Sequence, residues 1–123
     1  MQDGKHVILC VDDDADFLGS MRDILEGAGF VMETADSAEQ GLRRFRETEP
    51  DLILVDLMME EVDAGVNFVK ELKLLGAETP VFLLSSMGDS LSEETDYSYL
   101  KLSGILQKPV SQDNLISLLQ RKL

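Results

Sequence analysis

The sequence contains few cysteine, proline, aromatic and basic residues. Its 123 residues include one Cys, no Trp and three Pro, and 11 Lys and Arg face 24 Asp and Glu, so the formal net charge is −13. One Cys excludes an internal disulfide, and Cys10 lies in the apolar run Val7–Val11, where a buried thiol is expected rather than a nucleophile. The acidic balance opposes binding to nucleic acid or anionic lipid, because the counterion release that drives such binding needs cationic residues.

Long apolar runs are also absent. No segment approaches the ~18 to 20 apolar residues of a membrane span, and the N-terminal residues Met1 to His6 lack the cationic-then-apolar order of a secretion signal. The sequence therefore predicts a cytoplasmic protein that does not bind membranes. Its length fits one domain over residues 1–123, able to bury a core without disulfides and with no output domain attached.

Short apolar runs alternate with segments of helical period, which is typical of an α/β sheet with crossover helices. The predicted strands are β1 (Val7–Val11), β2 (Phe30–Ala35), β3 (Leu52–Val55), β4 (Val81–Leu84) and β5 (Gly104–Gln107). Apolar residues at helical spacing predict α1 around residues 17–25, α2 around 38–45, α3 around 68–75 and α5 around 115–123. A short, poorly packed α4 is predicted over Ser90–Ser103, whose residues are indifferent helix formers.

The polar residues within the strands predict their order in the sheet. β1, β3 and β4 are wholly apolar, whereas β2 carries Glu33 and Thr34 and β5 carries Gln107. Strands that are buried on both faces belong at the centre, so β2 and β5 are predicted at the edges. We therefore predict a doubly wound, five-stranded parallel sheet of order 2-1-3-4-5, a flavodoxin-like (βα)5 fold, with a ligand crevice at the carboxyl ends of β1 and β3.

Chemically active residues follow four of these strands. Asp12–Asp14 come after β1, Asp56 after β3, Ser85 after β4 and Lys108 after β5. Carboxylates ~5 Å apart repel by ~3 kcal/mol at an effective dielectric near 20, so such a cluster must stay protonated or hold a cation. Oxygen ligands favour Mg²⁺, which typically binds one or two carboxylates together with a phosphoryl group.

These residue types suit phosphoryl transfer. Asp56 can act as a nucleophile toward phosphorus, and Lys108 and Ser85 can donate to phosphoryl oxygens. Taken alone, Ser85 is expected to be a turn hydroxyl and Lys108 a surface lysine, but their joint placement favours a site. Asp14 is interpreted as the N-cap of α1 rather than a ligand, because it precedes the periodic segment.

Four motifs resemble the receiver domain of two-component response regulators, the CheY-like superfamily. They are Ile8–Asp14, Asp51–Met59, Thr79–Ser86 and Lys108-Pro109. The resemblance covers nearly the whole chain. It implies a signalling switch activated by phosphorylation rather than an enzyme with an external substrate.

The resemblance also implies roles for individual residues. Asp56 would be phosphorylated by a sensor histidine kinase or a histidine phosphotransfer protein. Mg²⁺ would be bound by Asp13, Asp56 and the backbone carbonyl of Met58, with Asp12 acting mostly through water. Ser85 and Lys108 would hold the phosphoryl group, and the Lys108-Pro109 peptide would be cis.

The same resemblance implies what the domain does with the phosphoryl group. The domain would catalyse only its own phosphotransfer and dephosphorylation. The α4-β5-α5 surface would pass the signal to a downstream protein that the sequence does not identify, or to a second copy of the chain.

Two features depart from the family pattern. The loop after Asp56 lacks the usual Pro and has Ala64 where a Gly is expected, and Ile105 replaces an aromatic residue three positions before Lys108. Isoleucine offers neither a polar tip nor a flat ring, so we predict altered output without loss of phosphorylation.

Two alternatives remain open at this point. One is a receiver-like interaction module that works without phosphorylation. The other is a phosphatase of the haloacid dehalogenase type, whose paired aspartates have the spacing of Asp12 and Asp14; in that case Asp56 would have no role.

Overall fold

The computed structural model describes residues 2–57, 64–85 and 102–123. The predicted α4, apart from its last two residues, lies outside these ranges, as does Met58 with the carbonyl expected to bind metal. Residues 102 and 103, the end of the predicted α4, are not helical.

The described residues form one five-stranded parallel sheet in the order β2-β1-β3-β4-β5, which confirms the predicted doubly wound topology. The strands are β1 (Val7–Val11), β2 (Val31–Ala35), β3 (Leu52–Asp56), β4 (Val81–Ser85) and β5 (Gly104–Gln107). The described helices are α1 (Ala15–Gly27), α2 (Ala38–Thr48), α3 (Ala64–Leu74) and the final helix α5 (Gln112–Lys122).

Two strands extend one residue beyond their predicted ends. Asp56 pairs with Leu84 in the ladder between β3 and β4, and Ser85 pairs with Gln107 in the ladder between β4 and β5. Ladder hydrogen bonds use only the backbone, so a polar side chain does not end a strand if it has partners of its own. Asp56 and Ser85 therefore belong to the rigid sheet and not to the loops that follow it.

Two apolar layers cover the faces of the sheet. Phe68, Val69 and Leu72 of α3 pack with one set of strand residues, and Leu42 and Phe45 of α2 pack against that same cluster. On the opposite face, α1 and α5 contribute buried residues to a second cluster that contains Ile8 and Cys10; they are Met21, Leu25, Leu115 and Leu119. Both faces of the central strands are thus covered, as their apolar sequences predict.

Cys10 is fully buried in β1, which confirms its interpretation as a core residue. Burial, together with the nearby charge of Asp12, raises the pKa of the Cys10 thiol far above its ordinary value. The helices of the described ranges include none with the length and apolar character needed to cross a bilayer.

Candidate functional site

Three carboxylates meet at the carboxyl ends of β1 and β3. These strands are neighbours, with Val11 opposite Val55 in the ladder, so Asp12 and Asp13 emerge beside Asp56. One carboxylate oxygen from each of the three residues lies within 4.8 Å of the others. Asp12 and Asp56 are buried and Asp13 is exposed, so the cluster opens to solvent on the Asp13 side.

Lys108 brings a positive charge into this cluster from the end of β5. Its Nζ atom donates to Asp12 Oδ2 at 2.7 Å and lies 3.6 Å from Asp56 Oδ1, and its side chain is 17% exposed. Burial alone would lower the pKa of the ammonium, but the hydrogen bond and charge of Asp12, followed by those of Asp56, outweigh burial and hold the pKa above its ordinary value. Lys108 is therefore a fixed cation shared unequally by two aspartates.

Ser85 occupies the last position of β4, the strand next to Asp56. It is buried, and its carbonyl oxygen accepts a hydrogen bond from the Lys108 backbone N–H at 2.7 Å. The Lys108-Pro109 peptide is cis, as expected. The structure thus brings Ser85 and Lys108 to the carboxyl ends of the strands, where the three carboxylates also lie.

Asp14 does not join this cluster, because its side chain is used by α1. Asp14 Oδ1 accepts the backbone N–H groups of Asp16 and Phe17 at 3.0 and 3.2 Å, which makes it the N-cap of the helix. The Asp14 backbone N–H in turn donates to Asp12 Oδ1 at 3.0 Å. The preference for an N-cap over a ligand is confirmed, and the paired-aspartate arrangement of the phosphatase alternative loses its second acid.

The donor set of this cluster fits Mg²⁺. All three side chains offer carboxylate oxygens, which are the ligands that this ion prefers. Three carboxylates and one ammonium leave two negative charges uncompensated, and one divalent cation would balance them. Both carboxylate oxygens of Asp12 already accept hydrogen bonds, from the Asp14 backbone N–H and from Lys108 Nζ.

Two residues near this site carry contacts that sequence reasoning missed. The Lys108 Nζ atom lies 4.3 Å from the centroid of the Phe17 ring, a residue that helical spacing had assigned simply to the apolar face of α1. A Cβ atom at Gly65 would overlap the carbonyl oxygen of Asp56 and lie 2.8 Å from that of Leu57. Gly65, not position 64, therefore permits the close approach of α3 to the end of β3.

Ile105 lies in β5 with 46% of its surface exposed, and it is one of the few large apolar residues exposed in the described ranges. Ile105 lines a cavity together with residues of β4, β5 and α5, among them Phe82, Arg121 and Lys122. The residue at this position thus lies at the surface, on the edge strand of the sheet.

The described residues thus form a single parallel sheet of order 2-1-3-4-5, with a cluster of aspartates at the carboxyl ends of β1 and β3 and a lysine after β5. Residues 8–120 match the family described as the response regulator receiver domain. The chain belongs to the receiver domain family of response regulators, and the predicted resemblance is confirmed.

Named relatives agree with this assignment. The chain is 31% identical to the chemotaxis protein CheY of Bacillus subtilis over 119 residues, which cover 96% of this chain and 98% of that protein. It is 36% identical to the transcriptional regulatory protein ZraR of Escherichia coli K12 over 118 residues, covering 94% of this chain. The chain spans about a quarter of the length of ZraR, of which 26% is covered.

A solved structure shows the same fold. The chemotaxis response regulator CheY4 of Vibrio cholerae superposes with a TM-score of 0.83 at 27% identity, covering 97% of this chain and 99% of that one. The match extends over almost all of both chains.

Proposed function

We propose that Asp56 accepts a phosphoryl group and that the resulting acyl phosphate is the active state of this signalling switch. The observation that carries the proposal is that the Asp56 carboxylate clusters with those of Asp12 and Asp13 and lies 3.6 Å from the Lys108 ammonium. Membership in the receiver domain family supports the same role.

The residues of the site divide the chemistry among them. An oxygen of the Asp56 carboxylate attacks phosphorus, a P–O bond forms, and the bond from phosphorus to the donor's leaving group breaks. The Lys108 ammonium is close enough to Asp56 to compensate charge on an oxygen of the transferred group, and the Ser85 hydroxyl is a rotatable donor at the neighbouring strand end. The domain thereby catalyses its own phosphorylation and, with water as acceptor, its own dephosphorylation.

Asp13 and Asp56 are the proposed Mg²⁺ ligands, with Asp12 contacting the ion through water and the Met58 carbonyl, outside the described residues, as a further ligand. Bound Mg²⁺ supplies charge neutralisation between the carboxylates and an incoming phosphoryl group. In its absence Lys108 offsets part of the carboxylate repulsion, as its position beside Asp12 indicates.

The donor is a sensor histidine kinase or a histidine phosphotransfer protein, in keeping with the family. The signal leaves through the surface formed by the predicted α4 with β5 and α5, and is received by a further protein or by a second copy of the chain. Ile105 on β5 is an exposed apolar residue of that surface. An interaction module that works without phosphorylation is the remaining alternative.

The experiment is mass spectrometry of the protein after incubation with acetyl phosphate and Mg²⁺. We expect a gain of one phosphoryl group in the wild type, its loss in Asp56→Asn, and its suppression by EDTA. Asp14→Asn is the matched control, since asparagine keeps the N-cap acceptor and Asp14 lies outside the cluster.

Each other outcome has a distinct meaning. No gain in the wild type would favour the phosphorylation-independent module. A gain that survives Asp56→Asn but is lost in Asp12→Asn would assign the nucleophile to Asp12. Loss in Asp14→Asn would revive the phosphatase alternative.

A further inference from the structure

Four contacts connect Asp12, Asp14, Phe17 and Lys108, and the last of them is between the Phe17 ring and Lys108. The Asp14 backbone N–H donates to Asp12 Oδ1 at 3.0 Å, and the Phe17 backbone N–H donates to Asp14 Oδ1 at 3.2 Å. Lys108 Nζ donates to Asp12 Oδ2 at 2.7 Å and lies 4.3 Å from the centroid of the Phe17 ring. These contacts therefore join the loop after β1 and the first turn of α1 to the loop after β5.

The face of the Phe17 ring attracts the Lys108 ammonium, which an aliphatic side chain would not do. A lysine ammonium is a point charge on a flexible four-carbon stem, and many rotamers would carry it away from the carboxylates. The negative face of an aromatic ring within ~6 Å attracts the ammonium, and more so where water is partly excluded. Phe17 is half-buried and Lys108 is largely buried, so this attraction acts in a partly desolvated setting.

On the function proposed above, phosphorylation of Asp56 would draw Lys108 away from Asp12. Its ammonium is 0.9 Å closer to Asp12 Oδ2 than to Asp56 Oδ1, from the 2.7 and 3.6 Å separations, so charge on a transferred group at Asp56 would compete with Asp12 for it. The ring contact does not depend on either carboxylate. It can therefore hold the ammonium within the site while the hydrogen bond shifts.

We propose that Phe17 is a positioning residue for Lys108, holding the ammonium between Asp12 and Asp56 by the face of its ring. The proposal rests on the function proposed above for its consequence in phosphorylation, but the contact itself is measured without phosphorylation. The competing explanation is that Phe17 only fills space against the core cluster of α1 and α5.

The first measurement is NMR of the full chain in EDTA, in wild type, Phe17→Leu and Phe17→Tyr. A ring that faces the ammonium shifts the ε-methylene protons of Lys108 upfield. We expect this shift in the wild type and in Phe17→Tyr, and its loss in Phe17→Leu. An unshifted Lys108 in the wild type would overturn the proposal, whatever the phosphorylation assay shows.

The second measurement is the rate of phosphorylation by acetyl phosphate and Mg²⁺. Loss of a partly buried cation–π contact is expected to slow Phe17→Leu by about two- to thirty-fold, and Phe17→Tyr should restore the rate to within about twofold because it keeps the ring face. Phe45→Leu is the matched control. Phe45 is also half-buried in a helix. It lies beside Pro50 and Thr79, which precede β3 and β4, so it is at the amino ends of the strands, away from the carboxylates.

A double-mutant cycle separates positioning from packing. In a Lys108→Met background, Phe17→Leu should cause no further loss of rate, because the group that the ring positions is gone. An equal loss in both backgrounds, or a slow Phe17→Tyr, would show a packing role and overturn the proposal. A wild type that keeps the shifted Lys108 protons but gains no phosphoryl group would instead contradict the proposed function while supporting the contact.

Discussion

Two Gly→Ala substitutions should change stability in opposite directions. In a helix, alanine is favoured over glycine by about 1 kcal/mol because glycine loses more backbone entropy on folding. At Gly19, in the exposed face of α1, an added Cβ atom meets nothing within 4 Å. Gly19→Ala should therefore gain the full propensity term and stabilise the protein by about 1 kcal/mol.

At Gly65 the same substitution is expected to destabilise the protein, because the added Cβ atom would clash with the backbone. The added Cβ would overlap the Asp56 carbonyl oxygen and lie 2.8 Å from the Leu57 carbonyl oxygen and 2.9 Å from the Leu57 Cα. These are backbone atoms at the buried end of β3, so they cannot rotate away as a side chain could. Overpacking costs about 1–3 kcal/mol, and the upper value less the propensity gain leaves a net destabilisation of about 2 kcal/mol.

The assay is thermal unfolding followed by circular dichroism, with urea unfolding as a second probe. For 123 residues, the average entropy of unfolding converts 2 kcal/mol into a fall in Tm of about 8 °C for Gly65→Ala, and 1 kcal/mol into a rise of about 4 °C for Gly19→Ala. Phosphorylation of Gly65→Ala should also slow, since the Asp56 backbone must move. If Gly65→Ala raised Tm as Gly19→Ala does, the close approach of α3 to β3 would be refuted.

Three further predictions concern the carboxylate cluster, a hydrogen bond at the start of β1 and the buried thiol. Mg²⁺ should raise the Tm of the wild type. Asp13→Asn should raise the Tm in EDTA, because it relieves repulsion between the carboxylates, and it should abolish the rise that Mg²⁺ causes. If calorimetry showed the same Mg²⁺-induced rise in Asp13→Asn, Asp13 would be excluded as a ligand. The Val7 backbone N–H donates to Asp51 Oδ2 at 2.7 Å. Asp51→Ala removes this acceptor and should lower the free energy of unfolding in urea by about 1–2 kcal/mol, whereas Asp51→Asn should lower it less. Equal decreases in the two variants would contradict the hydrogen bond. Cys10 should react with a thiol reagent only as fast as the protein unfolds, and labelling within seconds under native conditions would contradict its burial in β1.

The sheet topology could be predicted because it depends on regular patterns. Wholly apolar strands at the centre and polar residues in β2 and β5 gave the order that the structure has. From that order, Asp56 and Lys108 could be placed at one edge, since parallel strands end together. The predicted ends of β3 and β4 are one residue short, because backbone pairing continues through the polar residues Asp56 and Ser85.

Contacts between elements distant in sequence could not be predicted in the same way. An aromatic residue at helical spacing indicates a core position, and nothing in the local sequence shows that Phe17 faces a lysine 91 positions later, from 17 to 108. Gly65 follows the same logic, because its role depends on how closely α3 approaches β3. The sequence drew attention to Ala64, whereas the structure shows that the neighbouring Gly65 makes the close approach.

The bond between Lys108 and Asp12 joins residues 96 positions apart, and this separation bears on the order in which the protein is made. A growing chain carries Asp12, Asp13 and Asp56 well before the cation that lies among them has been synthesised. Until β5 docks, the Lys108 ammonium is not beside the aspartates, and their mutual repulsion is not offset by it. If the function proposed above is right, the site becomes complete only when β5, the last strand of the sheet, joins the rest.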